Sequence, residues 1–249
     1  MANTTAIIQA RTGSTRLPGK VMYPLDGRPV LEHVIQRTTH AERVDTVVVA
    51  TSTAEPDDVI AGYAPRFGAE VVRGSESDVL GRYERAVAEY DPEIVLRITG
   101  DCPLISPLFI DASVEVLETM DVDYVSAGLE RTFPRGVTCE AFTATSFERM
   151  AAVADKAHHR EHVTPYYREH QEEFKLYNLT SDELFTDPQM QNRTDLRLTL
   201  DEPEDYELLE TVYREVDYEQ ILDIGAAISY IDENGLAEIN EHVQQKDVK

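Results

Sequence analysis

Ile7-Ile8-Gln9-Ala10-Arg11-Thr12-Gly13-Ser14-Thr15-Arg16-Leu17-Pro18-Gly19-Lys20 is the stretch from which the fold can be read. It begins inside a β-branched run, Thr5 to Ala10, and continues into residues that cannot extend a strand, among them two glycines and a proline. Further β-branched runs occupy Val44 to Ala50, Glu70 to Val72 and Ile94 to Ile98. Helical patterns of about 10 to 15 residues separate them, the spacing of βαβ units and a parallel sheet. Pro29 with Val30, Leu31, Val34 and Ile35 predicts a helix that opens on proline, and Asp57 to Phe67, Ser77 to Tyr90 and Ser106-Pro107 to Met120 predict three more.

Past Asp123-Tyr124-Val125 the pattern loosens. A strand is expected over Val137 to Phe142, helices over Ser146 to Ala154 and His159 to His170, and a strand over Asp195 to Leu200. Helices then follow at Glu204 to Val216, Tyr218 to Tyr230 and Gly235 to Gln244. No repeat, low-complexity tract or Gly/Pro/Ser-rich linker divides the chain, so residues 1–249 are expected to form one three-layer α/β/α domain with a mostly parallel sheet.

In open parallel sheets ligands sit beyond the carboxyl ends of the strands, and the loop after the first strand commonly receives phosphate. Here that loop carries Arg11, Arg16 and Lys20, with Gly13 and Gly19 leaving the backbone open to an anion. It is neither a Walker A loop, since Val21 follows Lys20, nor a GxGxxG dinucleotide loop. The pattern alone also permits a solvated basic turn lying against surface carboxylates.

The three cations stand out because the chain has 47 acidic and 23 basic residues and a net charge of -24. That balance argues against nucleic-acid and anionic-membrane partners. Only five of the basic residues are lysines, and the acidic ones are spread along the chain. Such a surface suits a salt-loving source, because at 1 M salt charges are screened over about 3 Å. No apolar run is long enough for a membrane span and no secretory signal precedes the first strand, so a cytoplasmic protein is expected. Cys102 and Cys139 are too few for a disulfide framework and read as small core residues.

Two acidic positions at predicted strand ends could hold a divalent cation. Asp101 lies in Thr99-Gly100-Asp101-Cys102-Pro103-Leu104 after the run Ile94 to Ile98, and Asp201 ends the late strand. Pattern alone leaves Asp201 open to a second role as cap of the helix that starts near Pro203. His158 and His162 share i, i+4 spacing, but the HExxH pattern is absent.

At Ala10, Arg11, Ser14, Arg16, Leu17, Pro18 and Lys20 the first loop resembles A-R-x-x-S-x-R-L-P-x-K, the loop of the cytidylyltransferases that make CMP-activated acidic sugars. Further segments are similar to the spore coat polysaccharide biosynthesis protein F group of that family: Asp78 to Tyr83, Arg160 to Tyr166, and Thr199 to Asp205. The resemblance runs nearly end to end. It implies a Rossmann-like nucleotide-diphospho-sugar transferase fold, an Mg²⁺-dependent enzyme that transfers CMP from CTP to an acidic or modified sugar, and a homodimer.

The same resemblance implies roles for individual residues. Arg11, Lys20 and Asp101 would form the catalytic set, and Asp101 with Asp201 the metal site. Ala10, Arg11, Ser14, Arg16 and Lys20, joined by Arg97 and Thr99, would bind nucleotide, with Thr51, Ser52 and Arg73 near the base. Arg135, Glu140, Arg160 and His162 would face the acceptor, within an acceptor-binding or dimerising insertion at about 126–180. Thr138-Cys139 replaces the family's commoner aspartate-containing stretch there, which leaves the acceptor's identity open. A sugar-1-phosphate nucleotidyltransferase would carry a G-x-G-T-R-type string that this loop lacks, and a non-catalytic nucleotide-binding module would have no use for Arg11, Lys20, Asp101 and Asp201 together.

Overall fold

In the computed structural model, which describes residues 2–244, each of the four β-branched runs forms a strand. The first half of the chain comprises β1 (Thr4–Gln9), a small hairpin of β2 (Pro24–Leu25) and β3 (Arg28–Pro29), α1 (Val30–Thr39), β4 (Thr46–Ser52), α2 (Asp58–Tyr63), β5 (Glu70–Gly74), α3 (Val79–Tyr90), β6 (Ile94–Thr99) and α4 (Pro107–Thr119). The second half adds β7 (Tyr124–Ser126), β8 (Glu140–Thr143), α5 (Ala144–Ala151), α6 (Ala157–His162), α7 (Pro165–Glu169), β9 (Leu176–Asn178), α8 (Ser181–Leu184), α9 (Pro203–Glu215) and α10 (Ile224–Asn234).

Seven strands make one sheet in the order β5-β4-β1-β6-β8-β7-β9, parallel except for β8, which runs against β6 and β7. From β1 the chain moves outward through β4 and β5, then returns to the other side of β1 at β6. That reversal opens a crevice at the carboxyl ends of β1 and β6, where the register sets Gln9 against both Ala50 and Thr99.

The apolar runs are continuous because both faces of the sheet are covered. Ala6, Ile8, Val47, Val49, Leu96 and Ile98 point into a core shared with α1, α4, α9 and α10. Ile7, Val48, Ala50, Val95 and Phe142 point into a second core built with α3, α5 and α7. Residues 126–180 are woven into this framework: β8 and β9 belong to the main sheet, and Tyr167 and Phe174 fill the second core.

Several predicted elements are shifted or broken. The helix expected over His159 to His170 is split into α6 and α7 at Val163, whose φ is 70°; Pro165 has no N–H to donate to the carbonyl of Glu161 four residues back and instead opens α7 as its first residue. Asp195 to Leu200 is extended but joins its neighbours by one bridge, Arg135 to Arg197, and is not a ladder strand. The helix expected from Tyr218 begins at Ile224, where the Asp223 side chain accepts from Ala226 N. Past Gly235, among the described residues, Leu236–Ile239 alone is helical, as a short 3-10 turn.

Helix α1 carries a pH-sensitive packing element. His33 is 3% exposed, and its Nε2 lies 2.8 Å from the carbonyl oxygen of Leu25, a bond the neutral ring makes by donating. Burial pulls its pKa down to about 4 from 6.5. Between those values the unfolded chain takes up a proton that the folded chain refuses, so stability falls as pH drops from 6.5 towards 4. Denaturant titrations at pH 7.5 and 4.5 should show a loss of roughly 2 to 3 kcal/mol attributable to this group, and His33→Gln should remove that part.

Candidate active site

The loop after β1 is closed by its own backbone and pinned from below. Thr12 O accepts from Ser14 N and Gly19 N, both at 2.8 Å, so residues 12–19 fold back on themselves. Thr12 N and Oγ1 each donate to Asp57 Oδ1 at 2.7 Å, and the Ser52 hydroxyl donates to the same carboxylate. Burial pushes the Asp57 carboxyl up, but the donors from Ser52 and Thr12 outweigh it and hold it below the usual carboxylate range. Leu17 anchors the far side of the loop in the core at 8% exposure, leaving Arg11, Arg16 and Lys20 turned toward the crevice.

On the neighbouring strand, Gly100 lets the ends of β1 and β6 close together. Its N–H donates to Gln9 O at 2.9 Å, and a Cβ there would stand 3.0 Å from the Ala10 Cβ. Asp101 follows directly. Its carbonyl oxygen accepts from Leu200 N at 2.8 Å, so the extended segment 196–201 is laid across it. Gly136 allows the same segment to approach from the other side: with φ at +93°, a Cβ would come within 2.5 Å of Leu198 O. In that segment Leu196, Leu198 and Leu200 point into the core while Arg197, Thr199 and Asp201 share the opposite face.

These contacts bring Asp101 and Asp201 to one point. Lys20 Nζ lies 2.5 Å from Asp101 Oδ2 and 2.8 Å from Asp201 Oδ1. Arg16 adds a second cation at 2.9 Å on the same Asp201 oxygen, and Arg197 a third at 2.7 Å on the other. Burial raises the Asp201 carboxyl, yet Lys20, Arg16 and Arg197 bring it below its usual value. Burial likewise lowers the Lys20 ammonium, and the two aspartates more than reverse the effect. Asp201 does not cap α9: Glu202 and Asp205 form the capping box, with Asp205 Oδ2 accepting from Asp201 N and Glu202 N at 2.9 Å. The Asp201 carboxylate is thereby left for the crevice.

A cleft of about 790 Å³ connects these groups. Ala10, Arg11, Ser14, Arg16 and Lys20 form one wall, and Thr99, Asp101 and Asp201 the floor. Arg97, Arg135, Glu140 and His162 lie toward the β8 side. Glu140 and Arg97 are partners across β6 and β8, and Glu140 also accepts from Tyr124 and from Thr164 Oγ1 at 2.9 and 3.0 Å. Burial raises the Glu140 carboxyl, but Arg97, Arg168 and the two hydroxyls hold it low, so it forms a fixed anionic wall. Arg135 differs. It is half-buried, burial together with Arg131 and Arg197 lowers its pKa, and among the described residues no carboxylate comes within ion-pair distance of it.

Four expected site residues lie elsewhere. Thr51 is fully buried, and the Ser52 hydroxyl is spent on Asp57. Arg73 pairs with Asp58 at 2.7 Å and bonds the carbonyls of Ser52 and Ala54. Arg160 forks onto Asp78 at 2.7 and 2.8 Å and reaches Glu84 at 2.9 Å, tying α6 to the start of α3. In so acidic a chain these cations find carboxylates before they reach the cleft. His158 does not meet His162; it joins His159 on the two oxygens of Glu169, while His162 lines the cleft.

Sequence reasoning missed Asp57, Arg197 and Arg168, the last a further cleft-lining arginine. The alternation of Arg197, Thr199 and Asp201 with three leucines was the available signal for Arg197. Asp57 had none.

The profile of the cytidylyltransferase family matches residues 5–229, a span that includes the loop, Asp101 and Asp201. The chain belongs to the cytidylyltransferase family. It is similar to an uncharacterised protein of Methanocaldococcus jannaschii, 36% identical over 241 residues, which cover 96% of this chain and 95% of that one. The spore coat polysaccharide biosynthesis protein SpsF of Bacillus subtilis is 34% identical over 215 residues, 84% of this chain and 85% of its own. A solved cytidylyltransferase from Leptospira borgpetersenii superposes with a TM-score of 0.86 at 30% identity, covering 99% of this chain and 100% of that one. The three-layer fold with a mostly parallel sheet is thus the fold of a cytidylyltransferase, and no helix among the described residues is long and apolar enough to cross a membrane.

Proposed function

We propose that this cytidylyltransferase binds CTP across the ends of β1 and β6 and transfers CMP to a sugar acid used in a surface polysaccharide, releasing pyrophosphate. One observation carries the reading: Asp101 and Asp201, distant in sequence, converge on one cation beside the loop that bears Arg11, Arg16 and Lys20. A basic loop alone would serve any phosphate; paired carboxylates beside it suit transfer of a nucleotidyl group. The name of the Bacillus relative supports polysaccharide synthesis as the setting.

The donor set fits a hard divalent cation such as Mg²⁺, since both candidate ligands are carboxylate oxygens, and the neighbouring Cys102 thiol, which donates to Asp101 Oδ1 at 3.7 Å, is kept protonated by burial. Held by Asp101 and Asp201, that cation would neutralise charge at the α-phosphate and the leaving pyrophosphate. The chain's own groups do the positioning. Arg11 is only loosely paired, 3.6 Å from Glu76 and 3.9 Å from Glu161, and is available to a phosphate. Arg16 and Lys20 carry charge to the β- and γ-phosphates. The acceptor hydroxyl oxygen bonds to the α-phosphorus as the bond to the β-phosphate oxygen breaks, with alignment of the two as the main source of rate.

Arg135 supports an acidic acceptor. It is a guanidinium in the cleft beside Arg131 and Arg197; Asp201 favours its charge but is not within ion-pair distance, and a sugar carboxylate would be its natural counter-ion. Arg135→Gln should therefore raise the KM for a sugar-acid acceptor about tenfold or more while leaving that for CTP within about twofold. The nucleotide half of the reading is tested by calorimetric titration with CTP, UTP, GTP and ATP in Mg²⁺: CTP should bind preferentially, and equal affinity for all four would contradict it.

A further inference from the structure

The two carboxylates assigned to the divalent cation are already bridged by a cation of the chain itself. Lys20 is 8% exposed, and its Nζ sits within hydrogen-bond reach of Asp101 Oδ2 at 2.5 Å and Asp201 Oδ1 at 2.8 Å. Two carboxylates at such close quarters repel unless a positive charge stands between them. Arg16 and Arg197 reach Asp201, but among the described residues Lys20 alone touches both aspartates. The position of Lys20 is built into the backbone. Gly19, with φ at 73°, turns the chain, the 3-10 turn Lys20–Met22 begins there, and Val21 is buried at 3% exposure.

We infer that Lys20 is a positioning residue that stands in the cation's place in the ligand-free enzyme, so that a divalent ion settles on Asp101 and Asp201 only together with a triphosphate that draws the ammonium away. This rests on the metal assignment proposed above and adds an order of assembly to it. Lysine suits such an exchange, because its ammonium is a compact point charge on a flexible stem and can leave one set of oxygens for another. While it bridges the aspartates it keeps them in register, and a free ion must compete with it. A nucleotide supplies new oxygens for the ammonium at the moment its own ion needs the carboxylates. Ion and nucleotide affinities are then coupled, each strengthening the other.

The test is Mn²⁺ binding, read by electron paramagnetic resonance of the free ion and by water-proton relaxation, on the full chain. Wild type should hold Mn²⁺ alone no tighter than roughly 1 mM and should take up preformed Mn·CTP far more tightly. Lys20→Met should bind Mn²⁺ alone about tenfold tighter than wild type, within the range usual for coupled sites, and should lose most of the gain that CTP confers. Lys20→Gln provides a second variant, and thermal melts establish that each is folded. Equal Mn²⁺ affinity of wild type and a folded Lys20 variant overturns the role of Lys20 and leaves the metal assignment standing. Tight binding of Mn²⁺ alone by wild type does the same, and needs no variant. Failure of wild type to bind Mn·CTP overturns the metal assignment, and the inference with it.

Discussion

Replacing Asp101 by asparagine is expected to lower kcat by about a thousandfold or more without unfolding the protein. Asparagine keeps the shape and hydrogen-bonding capacity of the side chain while removing the charge that a divalent ion needs. Lys20 retains Asp201 at 2.8 Å, so the buried ammonium is not left alone. The Asp101 backbone continues to seat Leu200 N, at 2.8 Å, which holds the segment leading to Asp201. The loss should appear in kcat more than in the affinity for CTP, because Arg11 and Arg16 are untouched and a freed Lys20 can still meet phosphate. Turnover within tenfold of wild type would show that Asp101 does not take part in the chemical step.

Arg197→Met should produce the largest stability effect, about 3 to 5 kcal/mol, equivalent to a Tm fall of roughly 10 °C in a chain of this length. Arg197 is 6% exposed and spans two carboxylates, Asp201 at 2.7 Å and Asp205 at 2.9 Å. Asp205 is fully buried; it keeps donors from Asp201 N, Glu202 N and Asn240 Nδ2, each at 2.9 Å, but would lose its counter-charge. Removing one partner of a buried ionic group costs more than the pair contributes, since the remaining charge is left without compensation. Activity should fall as well, because Arg197 fixes one oxygen of Asp201. An unfolding free energy from urea titration within about 1 kcal/mol of wild type would mean that Arg197 is replaceable there.

The parts of the fold that could be read in the sequence are those written in long, regular signals. β1, β4 and β6 are buried on both faces and therefore appear as apolar, β-branched runs, β5 at the sheet edge shows only the pair Val71-Val72, and α4 starts where Ser106 caps it and accepts from Phe109 N. β7 and β9 have three residues each, too few to show a period, and their pairing is decided by the sheet they join. The segment from Asp195 has the alternation of a strand but lies on the loops of Asp101 and Arg135, contacts that no local pattern reveals. A break in the helix was legible in Pro165, which cannot donate to the carbonyl four residues back and so starts a new helix.

The site divides in the same way. Arg11, Arg16 and Lys20 sit on one local loop and announce themselves by contrast with an acidic chain. Asp101 and Asp201 each read as a strand-end carboxylate, and only resemblance joined them before folding brought them onto Lys20. Arg73 and Arg160 have the same charge as the loop arginines, but each lies near carboxylates of its own surroundings, Asp58 in one case and Asp78 with Glu84 in the other. Charge type could be read from the sequence; charge partner could not.

Pyrophosphate release, followed with CTP, UTP, GTP and ATP in turn and a panel of sugar acids in the presence of Mg²⁺, tests the central claim most directly. A site built in this way should give pyrophosphate and a CMP-sugar in equal amounts with CTP and at least one acid. No CTP-dependent release with any acid, or equal release from all four nucleotides, would contradict it.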